Sequence, residues 1–125
     1  MTSVLVVEDD PDARELLRTA LAAEGYEVRT AANGADALAS LRQERPCIIL
    51  LDLMMPVMDG WAFRREQVND PDLSSIPVLC ITAVFDPEHV ARQLGLRCIR
   101  KPYRLEDVFG EVAAACGPGN DGASF

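Results

Sequence analysis

At 125 residues the chain is long enough for one domain with one hydrophobic core and too short for a second. Twenty acidic residues against 12 basic ones leave a formal charge of -8, which argues against gripping a nucleic-acid backbone through charge. No apolar stretch approaches the roughly 20 residues of a membrane span, and the first residues lack the basic region and long apolar core of a secretory signal, so the expectation is a soluble, cytoplasmic protein that binds neither membrane nor nucleic acid.

The first apolar run, Val4-Leu5-Val6-Val7, ends in Glu8-Asp9-Asp10. Continuous apolarity is what a strand covered on both faces requires. Asp10 then caps a first helix with Pro11 at its first position, along which Ala13, Leu16, Leu17, Ala20 and Leu21 recur at helical spacing. Tyr26 to Ala31 predicts a second strand, and Asn33 caps a second helix running to about Arg42. Cys47 to Leu51 predicts a third strand. It ends in Asp52, and the loop Leu53-Met54-Met55-Pro56-Val57-Met58-Asp59-Gly60 leads to a third helix through Trp61 and Phe63 to about Asn69.

Ile76 to Ile81 predicts the fourth strand, followed by Thr82-Ala83. After Asp86-Pro87 a short fourth helix runs from about Glu88 to Leu94. Cys98 to Arg100 predicts the fifth strand, ending in Lys101-Pro102-Tyr103. Leu105, Val108, Phe109, Val112, Ala113 and Cys116 then repeat at helical spacing. From Gly117 to Phe125 there is no periodicity, so the domain is expected over residues 1–116 and a flexible tail over 117–125.

The order is a five-fold repeat of strand then helix. Right-handed crossovers between parallel strands put helices on both faces, and the expected fold is a flavodoxin-like, doubly wound α/β sheet in the order 2-1-3-4-5. In that order strands one and three are neighbours, and the crevice at their C-terminal ends is where such sheets bind ligands. Glu8, Asp9 and Asp52 arrive there together. Three carboxylates repel one another unless a cation joins them, and oxygen-only ligands suit Mg²⁺. The fourth strand brings the Thr82 hydroxyl to the same edge and the fifth brings the Lys101 ammonium. A carboxylate surrounded by metal, cation and hydroxyl can act as a nucleophile toward phosphorus, which makes Asp52 the candidate phosphoryl acceptor.

Glu8-Asp9, Asp52-Leu-Met-Met-Pro with Met58-Asp59-Gly60, Thr82-Ala83 and Lys101-Pro102, each at the end of its strand, resemble the receiver domain of bacterial two-component response regulators. The resemblance spans about residues 3 to 116. It implies that Asp52 takes a phosphoryl group from a phosphohistidine on a sensor histidine kinase or histidine phosphotransfer protein. It also implies that Asp9, Asp52 and the backbone carbonyl of Met54 bind Mg²⁺, with Glu8 acting through water. Thr82 would swing toward the phosphoryl group, Lys101 would pair with it, and the face of the fourth helix, fifth strand and fifth helix would repack to alter binding of a downstream protein. A stand-alone receiver, monomeric or weakly dimeric, is expected.

Three departures from the family pattern stand out. Cys98 occupies a position where many receivers carry a tyrosine or phenylalanine, the fourth helix is short, and Met54 and Val84 are apolar at positions that help decide how readily water reaches the phosphorus. The last predicts slow self-hydrolysis of the aspartyl phosphate. The first two support an alternative, a receiver-fold docking module that signals without phosphorylation. A phosphohydrolase with an aspartate nucleophile ranks last, because Met54 stands where a second aspartate would be needed for acid/base work.

The remaining chemistry-bearing residues carry plainer expectations. Cys47, Cys80, Cys98 and Cys116 include no CxxC pair, and reduced thiols serving as small core hydrophobes are favoured over a disulfide. His89 is expected on the surface without a catalytic role. Trp61 and Phe63 are expected to pack, and Arg97, Arg100 and Arg104 to form a solvated face.

Overall fold

The computed structural model describes residues 3–83 and 86–119. The element order is β1 (Ser3–Val7), α1 (Pro11–Ala23), β2 (Glu27–Ala31), α2 (Gly34–Gln43), β3 (Ile48–Leu51), α3 (Gly60–Asn69), β4 (Val78–Thr82), α4 (Pro87–Leu94), β5 (Arg97–Arg100) and α5 (Leu105–Cys116). All strand pairs are parallel and the sheet order is β2-β1-β3-β4-β5, as expected from the alternation of apolar runs and helical patterns.

The apolar runs are buried from both sides because odd and even strand residues feed separate cores. Val4, Val6, Ile48, Leu50, Leu79 and Ile81 pack against Leu17 and Leu21 of α1 and Val108 and Val112 of α5. Leu5, Val7, Ile49, Leu51 and Cys80 pack against Leu38 and Leu41 of α2, Phe63 of α3 and Val90 of α4. Phe63 is completely buried, and truncating such a ring to alanine typically costs about 3–5 kcal/mol.

Helix starts follow the side chains that cap them. Asp10, Asn33, Asp59 and Asp86 each accept a hydrogen bond from a backbone N–H in the first turn of the following helix. The fourth helix is short as anticipated. It starts at Pro87 and ends at Leu94, where Gly95 takes the left-handed conformation that closes it.

Three strands start later than their apolar runs, β3 by a single residue, at Ile48 after Cys47. Pro77 has no N–H to give to the ladder, so β4 begins at Val78 although Ile76 is buried. Tyr26 donates its backbone N–H to Leu21 O at 3.2 Å and closes the turn after α1 instead of opening β2. Its hydroxyl donates to Gly117 O at 2.8 Å, so the segment after α5 begins against the body of the domain. Residues 120–125, the rest of the expected tail, and Val84 lie outside the described residues.

The expectation of four reduced cysteines fails for one pair. Cys47 and Cys116 form a disulfide with Cα atoms 5.3 Å apart, joining the entry of β3 to the end of α5. They are 69 residues apart in sequence, and only the lie of α5 across the sheet brings them together. Cys80 and Cys98 are free thiols. Among the described residues no helix is long and apolar enough to cross a membrane.

Candidate functional site

The sheet register brings the charged residues together at one edge. Val7 pairs with Leu51, and Asp52 N donates to Val7 O at 2.9 Å, so Asp52 leaves β3 level with Glu8 and Asp9. Lys101 N donates to Thr82 O at 2.8 Å, which fixes the start of the β5–α5 loop against the end of β4. Glu8 is 3% exposed, Asp52 7% and Thr82 fully buried. One oxygen from each of Glu8, Asp9 and Asp52 lies within 4.8 Å of the others.

Lys101 supplies the opposing charge. Its Nζ is 2.7 Å from Glu8 Oε1 and 3.5 Å from Asp52 Oδ2. Burial pushes the Glu8 carboxyl above its ordinary value and the neighbouring Asp52 adds to that, while Lys101 pulls the other way without cancelling it. For Lys101, burial favours the neutral amine, but Glu8 and Asp52 outweigh burial and hold its pKa above the ordinary value. The site therefore carries one cation among three carboxylates, an imbalance that a hard divalent cation bound by oxygen ligands would correct.

The β3–α3 loop is held from three sides. Met54 N donates to Asp52 Oδ1 at 3.3 Å, Gly60 N to Leu53 O at 2.9 Å, and Gly34 N, at the start of α2, to Met58 O at 2.8 Å. Gly34 is required: a Cβ there would lie 2.7 Å from the Met58 side chain. A crevice of about 350 Å³ beside the carboxylates is lined by Asp9, Met54, Met55, Pro56, Asp59 and Trp61. Trp61 also packs on the core beneath α3, as expected.

All five strand-end residues singled out from the sequence, Glu8, Asp9, Asp52, Thr82 and Lys101, thus meet at one sheet edge, and Met54 lies beside them. His89 is exposed on α4. Arg97 pairs with Glu111 at 2.8 Å and Arg104 with Glu106 at 3.1 Å, so two of the three flanking arginines are spent on surface ion pairs. Cys98 is half-buried, opposite Cys80 in the sheet, and packs against the core that includes Cys80 and Val90 on the α4 side. Two features escaped the sequence reading. Arg14 Nη1 donates to the backbone carbonyls of Glu8 and Asp9 at 3.0 and 3.4 Å. Val57 adopts φ 67° in a turn closed by Met58 N on Pro56 O at 2.8 Å.

Fold and crevice define a parallel α/β domain that gathers carboxylates and one lysine at its topological switch point. Residues 4–113 match the family described as the response regulator receiver domain, and the chain belongs to that family, the phosphoacceptor module of two-component systems. It is 41% identical over 81 residues to the probable transcriptional regulator ycf27 of Porphyra purpurea, covering 65% of this chain and 32% of that protein. The chain thus spans about a third of that relative's length.

Among solved structures it resembles the signal receiver domain of a signal transduction histidine kinase from Syntrophus aciditrophicus, with a TM-score of 0.84 and 34% identity over 93% of this chain and 90% of that one. It also resembles response regulator TrrA of Thermotoga maritima, solved in complex with Mg²⁺ and BeF, with a TM-score of 0.80 and 27% identity over 92% of this chain and 99% of that one. Receiver domains bind Mg²⁺ at their acidic pocket, and the all-oxygen donor set of Glu8, Asp9 and Asp52 fits that ion.

Proposed function

We propose that Asp52 is the phosphoacceptor of this receiver domain and that a phosphohistidine on a sensor histidine kinase or histidine phosphotransfer protein is the donor. The observation that carries the reading is the position of Asp52: a nearly buried carboxylate with Lys101 Nζ at 3.5 Å and the carboxylates of Glu8 and Asp9 within 4.8 Å. An oxygen of Asp52 forms the new bond to phosphorus as the bond to the donor's imidazole nitrogen breaks. Lys101 neutralises the charge that spreads over the phosphoryl oxygens. Thr82, at the end of β4, presents its hydroxyl to the same group.

Asp9, Asp52 and the carbonyl of Met54 would hold Mg²⁺, with Glu8 acting through water. The bound ion would supply further positive charge at the phosphoryl oxygens and relieve the repulsion among the carboxylates. A groove of about 700 Å³ between α1 and the β5–α5 loop, lined by Ala13, Leu16, Tyr103 and Leu105, runs up to Lys101 and offers the donor protein a path to the acceptor. Phosphorylation then changes the binding of a downstream protein partner. The protein acts in the cytoplasm, as a monomer or weak dimer, without nucleic acid or membrane as ligand.

The test is mass spectrometry after incubation with acetyl phosphate and Mg²⁺. A phosphate-sized mass increase is expected, lost in Asp52→Ala and abolished by EDTA. No increase with that donor or with a cognate kinase would instead favour a docking module that signals without phosphorylation.

A further inference from the structure

Arg14 is the fourth residue of α1, where the positive end of the helix dipole disfavours a cation. Among the described residues none of the ion pairs includes it; its neighbour Glu15 pairs with Arg18 instead. Its guanidinium turns back over the helix start and is spent on two carbonyl oxygens, those of Glu8 and Asp9. These belong to the two peptide planes that flank the Asp9 Cα. A planar peptide held by its oxygen has little freedom left, so fixing both planes fixes the direction of the Asp9 Cα–Cβ bond.

That restraint falls on the carboxylate that most needs it. Glu8 is held at one oxygen by Lys101 and at the other by Asp10 N–H at 3.4 Å, and Asp52 accepts from Met54 N. Among the described residues the Asp9 carboxylate has no such bond, so its aim depends on its backbone. We propose that Arg14 is a positioning residue for the divalent cation, holding the backbone on both sides of Asp9 so that its carboxylate is preset toward Asp52. The inference rests on reading the crevice as a Mg²⁺ site.

Charge and positioning predict opposite signs. A guanidinium near a metal site repels the metal, so on charge alone its removal should tighten Mg²⁺ binding. Loss of a group that orients a ligand should weaken it, by about 10-fold or more for outer partners of metal ligands.

The experiment is a calorimetric titration of the full chain with MgCl₂, followed in parallel by the fluorescence of Trp61, which lines the same crevice as Asp9. Arg14→Met keeps the apolar stem and removes the donors; a dissociation constant about 10-fold higher is expected. Arg14→Lys, which retains one nitrogen able to donate to both carbonyls, should restore most of the affinity. Arg14→Ala reads the same prediction if the methionine variant does not fold. Arg18→Ala should bind as the parent does. Parent-like or tighter binding in a folded Arg14→Met or Arg14→Ala protein overturns the assignment while leaving the metal site intact. Absence of Mg²⁺ binding in the parent overturns the metal reading and this inference with it.

Discussion

The ammonium of Lys101 lies 2.7 Å from Glu8 Oε1, closer than its 3.5 Å approach to Asp52. Glu8 is the more deeply buried of the two carboxylates, and it draws the lysine because burial makes its charge the costlier one to leave unpaired. Lys101 is thus stationed beside Asp52 but anchored on Glu8.

One consequence is a pH dependence in metal-free protein. The folded-state pKa of Glu8 is raised above its ordinary value of 4.5, chiefly by burial and then by Asp52. In the window between those two values the folded state holds more protons than the unfolded state, so this group's contribution is fully present below 4.5 and is lost as pH rises through the folded value. Melting curves in EDTA from acid to neutral pH should show it as a difference between the parent and Glu8→Gln. The parent should lose stability relative to the variant across that window. A constant difference would remove the argument.

The apolar side chain of Met54, 61% exposed beside Asp52, leads to a second expectation. It offers water no hydrogen bond on the approach to a phosphoryl group on Asp52, so decay of the aspartyl phosphate should be slow. Met54→Asn supplies a polar group at that point. A barrier lower by about 1.4 kcal/mol would give a roughly tenfold shorter half-life. Decay of the two phosphoproteins can be followed by loss of the phosphate mass after the donor is removed, and equal half-lives would count against a role for Met54. The Met54→Asn, Val84→Glu double variant should decay at least as fast.

What the sequence made legible, and what it hid, divides along physical lines. Continuous apolar runs and helix caps are local signals, and they located every strand and helix to within a few residues; the lag at β4 came from Pro77 and its missing N–H. The site was legible because each of its residues closes a strand, and parallel strands carry their C-terminal ends to one edge. Arg14 was not, since an arginine on an amphipathic helix reads as a solvated charge until its reach back to the Glu8 carbonyl is seen. Cys47 and Cys116 were misread because nothing local distinguishes a cysteine that fills a core from one that meets a partner 69 residues away.

That disulfide leads to a third expectation. Closing a loop with a sequence separation of 69 restricts the unfolded chain by an amount worth about 4 kcal/mol in the chain-entropy account. Reduction with a dithiol should therefore lower the melting temperature markedly and raise the mass by two hydrogens, and Cys47→Ala with Cys116→Ala should melt near the reduced parent. If reductant leaves the melting temperature of the oxidised parent unchanged, the bridge contributes nothing to stability.

The last expectation concerns Val57, 86% exposed in the loop between Asp52 and α3. Its φ of 67° is one that β-branched residues rarely adopt, because Cβ crowds the backbone there. So exposed a side chain gains little from packing, and nothing in its burial offsets the conformational cost. The loop is nonetheless fixed on either side, at Asp52 by the Met54 N–H and at Met58 by the Gly34 N–H, and the backbone between is forced through the turn. Val57→Gly should relieve the strain while adding backbone entropy to the unfolded chain, for a net gain of about 0.5–1 kcal/mol. Chemical denaturation of the two proteins would measure it. Because the carboxylates keep their places, Mg²⁺ affinity should be unchanged; a variant less stable than the parent would show that the Val57 side chain is doing something other than enduring the turn.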